Sequence, residues 1–316
     1  MKIGGAAKDT EILCIGLDIA WHGGSLGQQA TQNDCLVYSI FNPMKGQATL
    51  HLKRVRLENR DEFGEQIADA IARVMSDHSD VARVALAIDA PLQAVGAIPA
   101  GQTRARRACE VVLNERRKAI DHAAGGAAGW HPAIQPGAPI PPRVERVVAL
   151  LKESLGFEVW HQDTATSPQL ILECFPAEAI WSAKRMGAYL DQRSGQQVKA
   201  YKRQRGQYLT MEEVDHFVKA VLLNGFDSPW RGALEWTALV EQLVQQMLAL
   251  PDWVVDGRYR GGKLLDDMID SALCMATALS YANGTVHIWV DPQHLDDGHI
   301  MGPGPMDLLT MGRGLD

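Results

Sequence analysis

The sequence lacks paired cysteines, long hydrophobic runs and an excess of positive charge, and each absence excludes a class of protein. Its five cysteines are isolated and never stand in CxxC spacing, which argues against a disulfide framework and a structural zinc site. The apolar runs are short and interrupted by charge, and no hydrophobic region follows the first lysine. We therefore expect a soluble, cytoplasmic protein without an export signal.

Negative charge exceeds positive charge overall, but two segments of the chain are basic. The formal net charge is −7 at pH 7, so the chain as a whole has no general attraction for nucleic acid phosphates. Residues 104–118 (RARRACEVVLNERRK) and 199–205 (KAYKRQR) are basic, which allows a local positive surface. Either segment can equally be the solvated face of a helix.

The order of predicted elements is that of an α/β domain with a mixed sheet. Apolar runs predict strands at 11–21, 35–41, 48–57, 81–92, 168–176 and 285–290. Apolar residues at helical spacing predict a helix from about 60 to 77, with Asn59 as its N-terminal cap. A second helix is predicted at 142–156, and residues 177–250 are expected to be mostly helical.

The sequence predicts a single domain over residues 9–290. Within it we expect insertions at about 104–160 and 185–255, and a C-terminal tail at 291–316. Residues 121–143 are rich in Gly, Ala and Pro and predict a long loop, which in a compact domain is usually functional or mobile.

The segment LLDDMIDSAL (264–273) carries three carboxylates in a stretch that is otherwise typical of a buried helix. On a helix, Asp266 and Asp270 lie about 40° apart and Asp267 lies about 100° from Asp266, while the opposite face is apolar. We expect that apolar face to pack inward. An aspartate at a helix start can also simply cap free N–H groups, which would account for Asp266 or Asp267 better than for Asp270.

Three predicted strands each carry one acid within an apolar run: Asp18, Asp89 and Glu173. A buried carboxylate has to be paired, protonated or bound to a cation, because desolvation disfavours its charge. Mg²⁺ and Mn²⁺ prefer oxygen ligands and retain water for substrate phosphates. Two such ions about 4 Å apart can activate a water and stabilise a leaving oxygen in phosphodiester cleavage.

These motifs occur in an order that resembles the domain-of-unknown-function 429 family, whose members are described as predicted nucleases with an RNase H-like fold. The resemblance spans roughly residues 12–283 and rests on five short motifs: IGLDIAW, AIDAPL, RACE, ECFPAE and DDMIDSA. It implies an RNase H-like mixed sheet of three antiparallel strands followed by parallel strands. The sequence departs from the pattern in a long first hairpin, HGGSLGQQATQND.

The resemblance also implies residue roles. Asp18, Asp89 and the D-x-x-D pair Asp267 and Asp270 would bind one or two Mg²⁺ or Mn²⁺ ions and, with Glu173, form the catalytic set. We expect Arg104, Arg107 or Lys202 of the basic segments to hold a phosphate of the nucleic acid or other phosphate-containing substrate. The alternative for Arg107 is an ion pair with Glu110, three residues further along the same helix.

Other functions remain open from the sequence. GGSLG (23–27) matches the nucleophile elbow of serine hydrolases, but that motif needs a helix directly after it, and QQATQND leads into a strand instead. An actin-like or sugar-kinase-like ATPase also has an acid on its first strand, although no second phosphate loop or Walker motif is present. A non-catalytic RNase H-like binding module is the third alternative.

Overall fold

The computed structural model has the α/β architecture with a mixed sheet that the sequence predicts. It describes residues 11–19, 34–55, 64–93, 107, 109–111, 113, 142–161, 163–176, 179, 208–226, 236–250, 254–260, 263–290, 298–303 and 308–310. The predicted GGSLG hairpin and almost all of the predicted 121–143 loop lie outside these residues.

A six-stranded sheet forms the centre of the fold. Its strands are β1 (Ile12–Asp18), β2 (Asp34–Asn42), β3 (Gln47–Val55), β4 (Arg83–Ile88), β5 (Glu158–Val159) and β6 (Gln169–Glu173). Their order across the sheet is β3-β2-β1-β4-β6-β5. The first three strands pair antiparallel, whereas β1, β4, β6 and β5 run parallel. Every residue of β1 is buried, as expected for a central strand covered on both faces.

Helices cover both faces of this sheet. They are α1 (Glu65–Asp77), α2 (Pro142–Leu155), α3 (Met211–Phe226), α4 (Trp236–Ala249) and α5 (Lys263–Asn283). On one face, α1 and α2 share a hydrophobic core with Leu13, Ile15 and Leu17 of β1. On the other face, α3, α4 and α5 share a core with Ile12 and Cys14 of the same strand. The alternation of side chains along β1 therefore separates two hydrophobic layers.

The start of α1 differs from the prediction. The residue before the helix is Gly64, with φ 78°, so Asn59 is not the cap. A Cβ on Gly64 would lie 2.1 Å from Cγ2 of Val147 in α2, so a glycine is needed where the two helices meet. The capping prediction was wrong because helix packing, and not a local side-chain hydrogen bond, sets this boundary.

Within the described residues, two three-stranded sheets flank the central one. The first consists of β7 (Tyr208–Leu209), β8 (Val254–Val255) and β9 (Arg258–Arg260), and the second of β10 (Val286–Val290), β11 (Ile300–Pro303) and β12 (Leu308–Thr310). The last two strands lie in the segment where the sequence predicted only a tail. None of the helices described is both long enough and apolar enough to span a membrane.

Candidate active site

Asp18 and Asp89 lie side by side at the carboxyl end of the central sheet. Asp18 is the last residue of β1, and Asp89 directly follows β4. The strands are parallel, with Leu17 in register with Ile88, and the main-chain N–H of Asp89 donates a 2.9 Å hydrogen bond to the oxygen of Leu17. The predicted convergence of these two strand ends is thus present in the main chain.

Both acids belong to the face of the sheet that packs against α5. Side chains alternate along a strand, so Asp18 shares a face with Gly16, whose nearest neighbours are in α5. Asp89 likewise shares a face with Ala87, which belongs to the α5 core layer. Burial raises the pKa of the Cys274 thiol in α5, and a hydrogen bond with Cys174 and the charges of Cys174, Asp89 and Asp18 raise it further. Both strand ends therefore belong to the side of the sheet that α5 covers.

The main chains of β1 and α5 touch at Gly16. A Cβ on Gly16 would lie 2.1 Å from both the nitrogen of Met275 and the oxygen of Ser271. Two residues further along β1, the N–H of Asp18 donates to Ser271 Oγ at 3.1 Å, and this hydroxyl donates to the oxygen of Cys35 in β2 at 2.7 Å. These contacts fix the helix on the sheet at the level of Asp18.

Met275 of α5 lies beside Gly16, and Ser271, one turn earlier in the helix, lies beside Asp18 at the end of β1. The turns of α5 that precede Ser271 therefore extend past the carboxyl end of β1. Asp267 precedes Ser271 by one helical turn, and Asp270 precedes Cys274 by the same interval, so both acids lie on the stripe that faces the sheet.

The acidic edge of α5 is buried together with its apolar face. The sequence predicted that the apolar face would pack inward, and it does, but Asp266, Asp267 and Asp270 are only 1–2% exposed. Asp18 is 6% exposed and Asp89 is half-buried. Asp18, Asp89, Asp267 and Asp270 are thus all buried or half-buried, on α5 or on the strand ends of the face that α5 covers.

These carboxylates are of the chemical kind that binds Mg²⁺ or Mn²⁺. Within the ranges that the structure describes, no group of three or more His, Cys, Asp and Glu side chains stands ready to hold a metal ion. Mg²⁺ is usually bound through one or two carboxylates, with water and substrate phosphate completing its shell.

Glu173 lies at the same end of the sheet but on the opposite face. Its neighbour Ile171 faces α1 and α2, whereas Leu172 and Cys174 face α5, so alternation directs Glu173 away from Asp18 and Asp89. Glu173 is therefore not part of the group of carboxylates beside α5.

Arg107 is the partner of Glu173. Its Nη1 and Nη2 donate to the two carboxylate oxygens at 2.6 and 2.5 Å, and its Nε donates to Glu110 at 2.8 Å. Arg107 is only 1% exposed. This is the i,i+3 ion pair that the sequence offered as the alternative to phosphate binding. Arg104 and Lys202, the other two predicted phosphate ligands, lie outside the described residues.

Two further groups hold Glu173 in place. Its carboxylate accepts a 2.9 Å hydrogen bond from the N–H of Leu92, and its own N–H donates to Nε2 of buried His299 at 3.1 Å. Burial raises the pKa of Glu173, and the charge of Arg107 opposes that shift. Burial and the nearby charge of Arg107 lower the pKa of His299 to about 3, which agrees with a neutral ring whose Nε2 accepts the hydrogen bond from the N–H of Glu173.

A second buried ion pair stands at the same end of the sheet. Arg143, in the first turn of α2, donates to both carboxylate oxygens of Asp34, the first residue of β2, at 2.7 and 2.6 Å. Asp34 is 0% exposed and Arg143 is 3% exposed. Like the pair of Arg107 and Glu173, it lies on the face opposite α5.

Sequence reasoning missed several residues that build this region. Gly16 had a usable signal, since a glycine inside an apolar strand often marks a close approach of another main chain. Ser271 could have been noticed because it follows Asp267 by one helical turn. The pairing of Arg143 with Asp34 had no sequence signal, because the two residues are far apart along the chain and belong to different elements.

Comparison of the chain with protein-family models, with curated proteins and with solved structures gave no match.

Proposed function

We propose that this protein is a divalent-metal-dependent phosphodiester hydrolase, a nuclease, with an RNase H-like fold. One observation supports the proposal: Asp18 and Asp89 end adjacent parallel strands on the face that packs against α5, and the first turns of α5 carry the buried acids Asp267 and Asp270. Acids gathered from the sheet and a helix are what divalent-metal hydrolysis needs.

The proposed roles follow from placement. Asp18 and Asp89, held by the main-chain ladder of β1 and β4, supply oxygen ligands from the sheet, while Asp267 and Asp270 supply them from α5. A bound Mg²⁺ or Mn²⁺ would polarise the phosphate and lower the pKa of a water nucleophile. The low exposure of the region strengthens electrostatic interactions with a phosphate, since the effective dielectric constant falls there.

Ser271 and Gly16 are positioning residues in this proposal. They set the separation between α5 and β1, and so the distance between the acids of the helix and those of the strands. Glu173 and Arg107 also act by positioning, since their ion pair joins the end of β6 to the segment containing Glu110. Arg107 donates to Glu173 and Glu110, and we do not assign it a phosphate.

The strand order supports the fold part of the proposal. Three antiparallel strands followed by parallel neighbours, in the order β3-β2-β1-β4-β6, agree with the RNase H-like arrangement expected from the family resemblance. The first strand, the fourth strand and a late helix carry the acids, as that resemblance implies. Fold alone does not define a reaction, so the acid cluster remains the main support.

The test is incubation of the purified protein with Mn²⁺ or Mg²⁺ and a panel of single-stranded DNA, RNA, duplex and branched substrates. We expect metal-dependent cleavage that disappears in Asp267→Asn and persists in Asp69→Asn, an exposed acid of α1. Cleavage that survives EDTA, or that Asp267→Asn leaves intact, contradicts the proposal. Hydrolysis of ATP without cleavage would favour the ATPase alternative, and binding without turnover would favour the non-catalytic module.

A further inference from the structure

The small sheet β7-β9-β8 has one face packed on the protein and one face turned to solvent. Leu209 and Tyr259 are directly opposite each other, and Leu209 is only 3% exposed. The hydroxyl of Tyr259 donates to the oxygen of Leu248 in α4 at 3.2 Å. These two residues therefore belong to the inner face.

The outer face carries an aromatic ring and arginine positions. Tyr208 pairs directly with Arg260, so the two residues occupy the same face. Arg258 lies two positions from Arg260 along β9 and therefore also belongs to that face. Tyr208 is 52% exposed, and Arg258 is exposed as well.

The chain that forms this face is locally basic on an acidic protein. Residues 254–263 read VVDGRYRGGK, with three basic residues and one acid, Asp256, whereas the whole chain has a net charge of −7. The same segment leads directly into α5, since two residues separate Arg260 from Lys263. The main chain at Arg260 therefore lies within about 17 Å of the main chain at Asp267. This upper limit adds the fully extended length from Arg260 to Lys263 to the helical rise from Lys263 to Asp267.

We propose that the outer face of β7-β9-β8 binds single-stranded nucleic acid and leads it to the acids of α5. This inference rests on the proposed function and names its substrate class. A half-exposed tyrosine offers a stacking surface to any unpaired base, and the exposed Arg258 complements the phosphate backbone. A duplex hides its base faces within the stack, so Tyr208 gains little from it.

The measurement is fluorescence anisotropy of a labelled oligothymidylate with the full-length protein in EDTA, which prevents metal-dependent cleavage. Tyr208→Ala is expected to weaken binding at least about fivefold, as loss of one base–aromatic stack does, while Tyr208→Phe retains the affinity. Arg258→Ala is expected to weaken binding and to reduce the salt dependence by about 0.7 in the slope of log K against log salt.

Two matched controls lie on the turn between β2 and β3, at the end of the central sheet away from Asp18. Met44→Ala removes another exposed apolar side chain, and Lys45→Ala removes another exposed cation. Neither should change the affinity. Failure of the wild-type protein to bind, equal losses in the controls, or tighter binding of duplex than of single strand overturns the inference.

The inference and the proposed function can fail separately. If the wild-type protein binds the oligonucleotide through Tyr208 and Arg258 but never cleaves it with Mn²⁺, the hydrolase proposal is wrong and the binding surface stands. If the protein cleaves nucleic acid and the Tyr208 and Arg258 variants bind and cleave like wild type, the surface is wrong and the hydrolase proposal stands.

Discussion

The main-chain N–H of Asp18 donates a 3.1 Å hydrogen bond to Ser271 Oγ, joining residues that are 253 positions apart in the sequence. The same hydroxyl donates to the oxygen of Cys35, so one buried side chain links β1, β2 and α5. This link lies at Asp18, beside the helical turns that carry Asp267 and Asp270. The geometry of the candidate site therefore depends on how α5 is held against β1.

Replacing Ser271 by alanine should destabilise the protein by about 1–3 kcal/mol, since it leaves a buried N–H and a buried carbonyl without their partner. Chemical denaturation measures this directly. Ser280→Ala is the matched control, because Ser280 Oγ is buried on the same helix and has no hydrogen-bond partner within the described part of the chain. We expect little or no loss there, and equal losses at both serines would refute the role given to Ser271.

Gly16→Ala should destabilise the protein by about 3 kcal/mol or more, because the new methyl would meet main-chain atoms of α5 that cannot rotate away. Gly284→Ala serves as the comparison. Gly284 has φ 73° and open space where a Cβ would lie. The alanine variant should therefore lose only the stability that a left-handed backbone costs a residue with a Cβ, about 1–2 kcal/mol. A Gly16 variant as stable as wild type would mean that α5 and β1 are not in this contact.

The ion pair of Arg107 and Glu173 predicts a non-additive pattern of stability. Arg107→Met leaves Glu173 buried without its partner and should cost about 3–5 kcal/mol, as breaking buried pairs does. The double variant Arg107→Met with Glu173→Leu should lose less, since only the carboxylate of Glu110, and no longer that of Glu173, is left without Arg107. If Arg107 served mainly to bind phosphate, the single variant would retain its stability and lose substrate affinity.

His299 predicts a pH dependence of stability. The pKa of His299 in the folded protein is about 3, below its ordinary value of 6.5, so the unfolded chain binds one more proton between these pH values. Stability should therefore fall as pH drops through this window, by at most about 1.4 kcal/mol per pH unit from this residue. Urea titrations at pH 5 to 7 should show a smaller slope in His299→Gln than in wild type, and an unchanged slope would contradict this assignment.

Much of the central fold was predictable because its strands are apolar on both faces and separated by clear breaks. The predicted strand at 35–41 is β2 at Asp34–Asn42, and the helix predicted at 142–156 is α2 at Pro142–Leu155. The short strands β5, β7 and β8 were missed, since two residues carry no periodicity. The strands β11 and β12 were hidden by a Gly- and Pro-rich composition typical of loose segments.

The site was predictable only in part, and for a physical reason. Apolar strands interrupted by Asp18 and Asp89 identify those acids locally, and the parallel order of β1 and β4 then brings them together. The sequence grouped Glu173 with Asp18 and Asp89, but the alternation of side chains along β6 directs Glu173 to the opposite face of the sheet. Which face a residue near a strand end occupies depends on tertiary packing. The partners of Arg107 and Arg143 required the folded chain, although the pairing with Glu110 was foreseen as an alternative.

The most direct test of the metal proposal is Mn²⁺ binding measured by isothermal titration calorimetry on wild type, Asp18→Asn, Asp89→Asn and the control Asp69→Asn. We predict that each of the two strand-end variants binds at least about tenfold more weakly, a loss of about 1.4 kcal/mol, while the exposed Asp69 variant binds like wild type. Wild-type protein that binds no Mn²⁺, or strand-end variants that bind it with unchanged affinity, would contradict the account.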